Sequence, residues 1–256
     1  MASNLSGTAE RHAVSALFDH PSNSKKIAAL LALLPQEKPL RVFDAGCGDG
    51  RLAADCKGRG WSVSGMDAHA EGVAVARTNG VDALVGDIEA VWPVADDTQD
   101  VVLLLDVLEH LVDPTHALHE AHRILSPDGH CIVAFPNHFD VRQRLHMLFG
   151  GGIVHWSHQK YKDAEAATYG HVRFLQREEL EQLFHETGFS IVAWQWNFMG
   201  GGIVPRRFTP TAVRIFLTRR FPNLFSGKFV ALLKKTEKKE MLKPKIVTLS
   251  ETPEGL

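Results

Sequence analysis

The sequence predicts an α/β protein built on a doubly wound, mostly parallel sheet with helices on both faces, and three observations carry that expectation. From residue 41 onward, short apolar runs of strand length alternate with amphipathic stretches of helix length. A glycine loop follows the first run at once, in Val42-Phe43-Asp44-Ala45-Gly46-Cys47-Gly48-Asp49-Gly50. Acidic residues then recur at the ends of the next three runs, at Asp67, Asp87 and Asp106. The carboxyl ends of the strands are where open parallel sheets bind their ligands.

The elements follow in order. Thr8 to Phe18 and Ser24 to Leu34 read as two helices, the second carrying Ile27, Leu30, Leu31 and Leu34 at helical spacing and ending before Pro35. Residues 1–40 are therefore expected to form an N-terminal helical cap. Arg41 to Asp44 has the β-branched and aromatic character of an inner strand, and Gly46, Gly48 and Gly50 supply the backbone freedom for a tight turn into a helix over Leu52 to Gly60. Ser62 to Met66 is a second strand ending at Asp67, about 20 residues beyond the glycines, where a carboxylate can accept bonds from ribose hydroxyls. Glu71 to Asn79 is a helix, and Ala83-Leu84-Val85 a short strand running into Gly86-Asp87-Ile88. Asp100 to Leu105 is the most apolar run, as suits a central strand covered on both faces.

Asp113-Pro114 gives an N-cap followed by proline at the first helical position, and that helix is expected to stop at Ser126-Pro127-Asp128-Gly129. His130 to Phe135 is the next strand, ending in Pro136-Asn137. A helix around Leu180 to Phe184 closes at Gly188, and Phe189 to Trp196 and Lys228 to Leu233 are the last two strands. Two insertions, 138–172 and 197–226, emerge at the carboxyl side and are expected to cap an acceptor pocket. Residues 236–256 are expected to be a disordered tail.

Composition bounds the function. The 256 residues are 45% hydrophobic with a net charge of −2, which suits one α/β domain and gives no reason to expect bulk nucleic-acid binding. Cys47, Cys56 and Cys131 have neither the number nor the spacing of a disulfide framework or a zinc knuckle, so a reducing cytoplasm is expected. No membrane span or signal peptide is expected either. His116, His119 and His122 share three-residue spacing, but no cysteine or carboxylate completes a set there and no metal is expected.

The glycine loop alone admits two nucleotide readings and a purely structural one. In a dinucleotide fingerprint the glycines follow the strand directly; here Asp44 precedes them and would repel a pyrophosphate. The pattern D-x-G-x-G-x-G resembles motif I of the class I S-adenosylmethionine (SAM) methyltransferases. The ordered set VFDAGCGDG, GMD, GDIE, LLLDVLEHL and HRILSPDGHCIVAFPN, over roughly residues 41–137, is similar to that family. FPNHFDVRQRLHMLFGG and HVRFLQREELEQLFHETGF look like its branch containing the MetW-like and ubiquinone-type O-methyltransferases, grouped as methyltransferase type 11.

The resemblance implies a Rossmann-like, seven-stranded methyltransferase domain over residues 41–235. It implies that Asp44, Gly46, Cys47, Gly48 and Gly50 surround the aminocarboxypropyl end of SAM, with Asp67 on the ribose, Asp87 and Ile88 at the adenine, and Asp106 and Val107 beside the sulfonium. His110 and His171 are the candidates for acting on an acceptor, and Asn137, His155, Tyr169 and Arg173 for holding it. A packing role for His110 stands beside the catalytic one. The implied activity is methyl transfer to an oxygen or nitrogen of a small-molecule or lipid-linked acceptor; the alternative is a non-catalytic, regulatory SAM-binding partner of another biosynthetic enzyme.

One feature lies outside the resemblance. Thr187 to Thr236 contains no acidic residue but carries Arg206, Arg207, Arg214, Arg219, Arg220, Lys228, Lys234 and Lys235. Thr211 to Phe221 reads as a basic amphipathic helix with Val213, Phe216, Leu217 and Phe221 on one face. Either that face packs on the domain, or residues 203–221 contact an anionic acceptor or membrane surface.

Overall fold

The computed structural model describes residues 27–34, 38–151, 170–198, 209–236 and 247–248 of the chain. Strands β1 (Arg41–Ala45), β2 (Ser62–Asp67), β3 (Asp82–Val85), β4 (Gln99–Leu105), β5 (Leu125–Pro136), β6 (Phe189–Phe198), β7 (Ser226–Lys235) and β8 (Val247–Thr248) form one sheet in the order β3-β2-β1-β4-β5-β7-β6-β8. β1 to β5 run parallel, and β7 is inserted antiparallel between β5 and β6. The seven expected strands are all present. The eighth is a two-residue strand within the 236–256 tail, pairing parallel with β6. It covers backbone groups that an edge strand leaves unpaired.

Alternation along the strands sends successive side chains to opposite faces and so builds two cores. Val101 and Leu103 join one, Val102 and Leu104 the other. The first is roofed by α1 (Arg51–Gly58), α2 (Ala70–Thr78) and the helical residues 27–31, whose Ile27, Leu30 and Leu31 are all buried. The second is roofed by α3 (Pro114–Ile124) and α5 (Arg177–Glu186), with Leu118, Ile124, Leu180 and Phe184 inside. Between these two comes α4 (Val141–Leu148), and α6 (Thr211–Arg220) and α7 (Pro222–Phe225) precede β7. The first expected helix, Thr8 to Phe18, lies outside the described residues.

The structure moves one boundary. α3 ends at Ile124 and β5 starts at Leu125, five residues before the expected start. The pairing runs Gln99↔Leu125 and then Val101↔His130, so the Ser126-Pro127-Asp128-Gly129 turn is absorbed as an irregularity within the strand. Arg123 explains how α3 is tied down: it donates to the carbonyls of Trp92 and Val94 and pairs with Glu120 and Asp96. The connection between β3 and β4 is thereby clamped to α3.

Candidate active site

The carboxyl ends of β1, β2 and β4 meet at the glycine loop. Gly46 has φ 84°, and a Cβ there would lie 2.4 Å from Val107 Cγ2, so the loop passes too close to the end of β4 for any side chain. Gly50, at φ 74°, is closed in the same way by Ala76 and Val81. Gly48, at φ 51°, differs: a Cβ would meet nothing within 4 Å, so its outer side is open. Its amide donates to Asp67 Oδ2 at 2.8 Å, while Asp67 Oδ1 accepts from the His69 amide at 2.8 Å. Asp67 therefore binds the loop before it binds any ligand. A carboxylate offers about four lone-pair sites, so acceptor capacity remains.

Asp44 is 4% exposed, and burial followed by the nearby Asp67 charge pushes its carboxyl up to about 7. Cys47 is buried beside it, its thiol pushed up to about 12 by burial and then by the Asp44 charge, which makes it a packing residue rather than a nucleophile. At the end of β3, exposed Asp87 accepts from the Glu89 amide at 2.9 Å. Ile88 is 7% exposed and sits in the core, with its carbonyl taking the Trp92 indole N–H at 3.0 Å.

Beyond β4 the chain turns through Asp106, a non-glycine residue held at φ 58°. Strain of this kind persists where the surroundings over-determine it, and it concentrates at functional positions. Lys228 of β7 supplies one determinant, its ammonium 2.5 Å from Asp106 Oδ2. A short 3-10 turn, Leu108–His110, follows. Glu109 is 1% exposed, its Oε2 has no hydrogen-bond partner, and burial together with the Asp106 charge raises its carboxyl well above the ordinary range. His110 Nδ1 lies 3.3 Å from the Gly170 carbonyl, and burial lowers its pKa. His171 meets His110 edge-on with ring centroids 4.7 Å apart, and its Nδ1 is 2.6 Å from His138 Nε2. The returning chain is fastened here by the amides of Val172 and Arg173, both donating to the Glu109 carbonyl.

A family profile described as a methyltransferase domain matches residues 18–193, well over half of the chain. The chain belongs to the methyltransferase domain family. Among curated relatives of this methyltransferase, the ubiquinone biosynthesis O-methyltransferase of Vibrio cholerae is 28% identical over 153 residues, which are 57% of this chain and 60% of that protein. The protein of the same name from Ruegeria pomeroyi is 28% identical over 183 residues, covering 64% and 71%. The chain thus spans about 60% of the length of the Vibrio relative. A solved SAM-dependent methyltransferase from Thermotoga maritima superposes with a TM-score of 0.57 at 22% identity, covering 91% of this chain and 96% of that one. The [4+2]-cyclase SpnF superposes with a TM-score of 0.56 at 18% identity, covering 83% and 81%. Such likenesses establish the class I Rossmann-like fold, and the cyclase shows why chemistry must be argued from the site.

SAM is the cofactor that this family and fold imply, and the methyltransferase's residues fit it. Asp44 is a buried carboxyl with no basic partner among the described residues, suited to a ligand ammonium; the outer side of Gly48 is open; Asp67 keeps lone pairs for hydroxyls. Ile88 offers only an edge to an adenine, since the rest of it is core.

The expected acceptor residues fare differently. His110 and His171 are brought together. Asn137 is not available in the expected way: its Nδ2 donates to the carbonyls of Asn223 and Ser226 and its Oδ1 accepts from the Phe139 amide, so the buried side chain braces the start of β7. Arg173 donates to the carbonyls of Leu111 and Val112, which fixes the chain that carries His171 rather than presenting the guanidinium to an acceptor. His155 and Tyr169 lie outside the described residues. Sequence reasoning missed Glu109, His138 and Lys228. Glu109 and His138 stood inside the quoted motifs LLLDVLEHL and FPNHFD; Lys228 had no local signal, because only the β5–β7 pairing carries it to Asp106.

Proposed function

We propose that this chain transfers the methyl group of SAM to an oxygen or nitrogen of a small-molecule or lipid-linked acceptor, with oxygen favoured by the names of its curated relatives. The observation that carries the reading is the meeting of His110, His171 and His138 at the carboxyl end of β4, directly after Asp106 and Val107. SAM supplies an activated methyl on a sulfonium, so the protein has chiefly to align the acceptor, which is worth about 7–11 kcal/mol in favourable cases. Asp44, the glycine loop and Asp67 hold the cofactor end. Burial keeps His110 neutral near neutral pH, so its imidazole has a lone pair with which to act on an acceptor hydroxyl or ammonium. No observation favours the non-catalytic partner reading.

The lipid-linked version of the acceptor draws support from α6. Some of its apolar surface is turned outward: Phe216 is 61% exposed and Val213 43%, with Phe221 just past its end 41%, while Ile215 and Leu217 are partly buried and Thr218 is buried. Arg219 and Arg220 flank them. An apolar face left open beside cations suits an anionic membrane surface. No helix among the described residues is long and apolar enough to cross a membrane.

Titration calorimetry with SAM and with its demethylated product, followed by mass spectrometry against phenols and amines with and without a lipid tail, tests the reading. SAM binding together with the mass gain of one CH2 on one acceptor class is the expected result. A chain that binds neither cofactor form sinks the proposal.

A further inference from the structure

We propose that Glu109, His110 and His171 form a binding site for one divalent first-row transition ion, such as Mn2+, Co2+ or Zn2+. One ligand atom from each of the three residues lies within 4.8 Å of the other two. Two ligands about 2.1 Å from an ion at tetrahedral or octahedral angles stand about 3.0–3.4 Å apart. The three ligand atoms therefore have to draw closer together when an ion binds. Two imidazoles and one carboxylate suit Mn2+, Fe2+, Co2+ or Zn2+ better than Mg2+ or Ca2+, which take oxygen ligands.

Two further observations point to an ion. Glu109 is buried to 1% exposure with Oε2 lacking any hydrogen-bond partner, although no acid need be placed there to build the core. The histidines are also oriented as metal ligands are: such a histidine turns its second ring nitrogen to a carbonyl or another polar group, which fixes the tautomer and the ring plane. His110 Nδ1 faces the Gly170 carbonyl at 3.3 Å, and His171 Nδ1 faces His138 Nε2 at 2.6 Å. In this arrangement Nε2 of each ring is the ligand atom, and His138 is a positioning residue.

The consequence for catalysis rests on the methyltransferase reading, although the site itself does not. A cation lowers the pKa of a hydroxyl bound to it, which is what an oxygen acceptor needs before it can attack. Three protein ligands leave coordination positions for such an oxygen. The histidines would then act on the acceptor through the ion rather than as free bases.

The test uses the full chain without an affinity tag, dialysed against chelator and titrated with Co2+, whose visible d–d absorption reports coordination. One Co2+ per chain is expected, and Glu109→Gln and His171→Ala should each lower the affinity at least tenfold. His138→Ala should lower it by about 10–100-fold. SAM affinity near that of wild type in each variant would show that the cofactor half remains folded. Wild-type chain that takes up no Co2+ with nitrogen-ligand absorption, or a Glu109→Gln variant that binds it as wild type does, overturns the site. Methyl transfer that persists at full rate in chelator, with no Co2+ uptake, would remove the ion and leave the proposed function standing. Co2+ uptake without methyl transfer to any acceptor would do the reverse.

Discussion

Asp44 shows what a single position costs and does. Its folded carboxyl titrates near 7 against an ordinary value of 3.8, so between about pH 4 and 7 the unfolded chain ionises while the folded one keeps its proton. The unfolded state then binds fewer protons, and stability falls with rising pH by up to about 1.4 kcal/mol per unit. That contribution is complete below about pH 4 and lost as the pH rises through 7. Asp44→Asn should therefore unfold at higher urea than wild type near pH 8, with the difference vanishing near pH 4, while binding SAM more weakly. A wild type and variant that lose stability in parallel over this range would refute the assignment. Asp67 makes a complementary case. Asp67→Ala should weaken SAM binding by about 2 kcal/mol or more, because a charged acceptor is lost and the Gly48 amide loses its partner as well. Asp67→Asn keeps one acceptor oxygen and should lose less. Equal calorimetric affinities for Asp67→Ala and wild type would place the ribose elsewhere.

At the scale of elements, α6 departs furthest from its sequence pattern. Helical spacing of Val213, Phe216, Leu217 and Phe221 ordinarily marks a face packed on the core, yet three of the four are exposed. Sedimentation with anionic and neutral vesicles should show binding to the anionic ones alone, weakening with salt. Arg219→Gln with Arg220→Gln should reduce that binding by about 2 kcal/mol at low salt, with SAM affinity retained. Equal, negligible sedimentation with both vesicle types would return α6 to a structural role. β7 is the other element whose importance was hidden. As an antiparallel strand between β5 and β6 it completes the sheet, and at its first turn it brings Lys228 to Asp106 across 122 residues.

Over the whole molecule, the two halves of the proposed site are assembled by different means. The proposed cofactor half comes from strand ends and is held by local backbone geometry. The acceptor half joins residues after β4, the end of β5 and the chain returning at 170–173. Damage to the second half should therefore leave the first intact: His171→Ala is expected to cut turnover by about 100-fold or more with SAM affinity nearly unchanged, in line with the range of about 10²–10⁴-fold for losing an acid–base group. A variant that lost SAM affinity while keeping its turnover at saturation would contradict this division.

What the sequence determined by itself was whatever a short window encodes. The unbroken apolar run of Val101 to Leu105, the positive φ that Gly46, Gly48 and Gly50 permit, and the carboxylates closing β2 and β4 were all legible, because each depends on neighbours a few positions away. They gave the α/β fold and the residues to test in the cofactor half. Tertiary structure alone decided that Asn137 braces β7, that Arg173 anchors a loop, that α6 turns Val213 and Phe216 outward, and that Glu109 lies buried beside His110 and His171. The contacts of Asn137, Arg173 and His110 join segments 60 or more residues apart, where a residue's chemistry is fixed by the surface it meets and not by the residues that precede it.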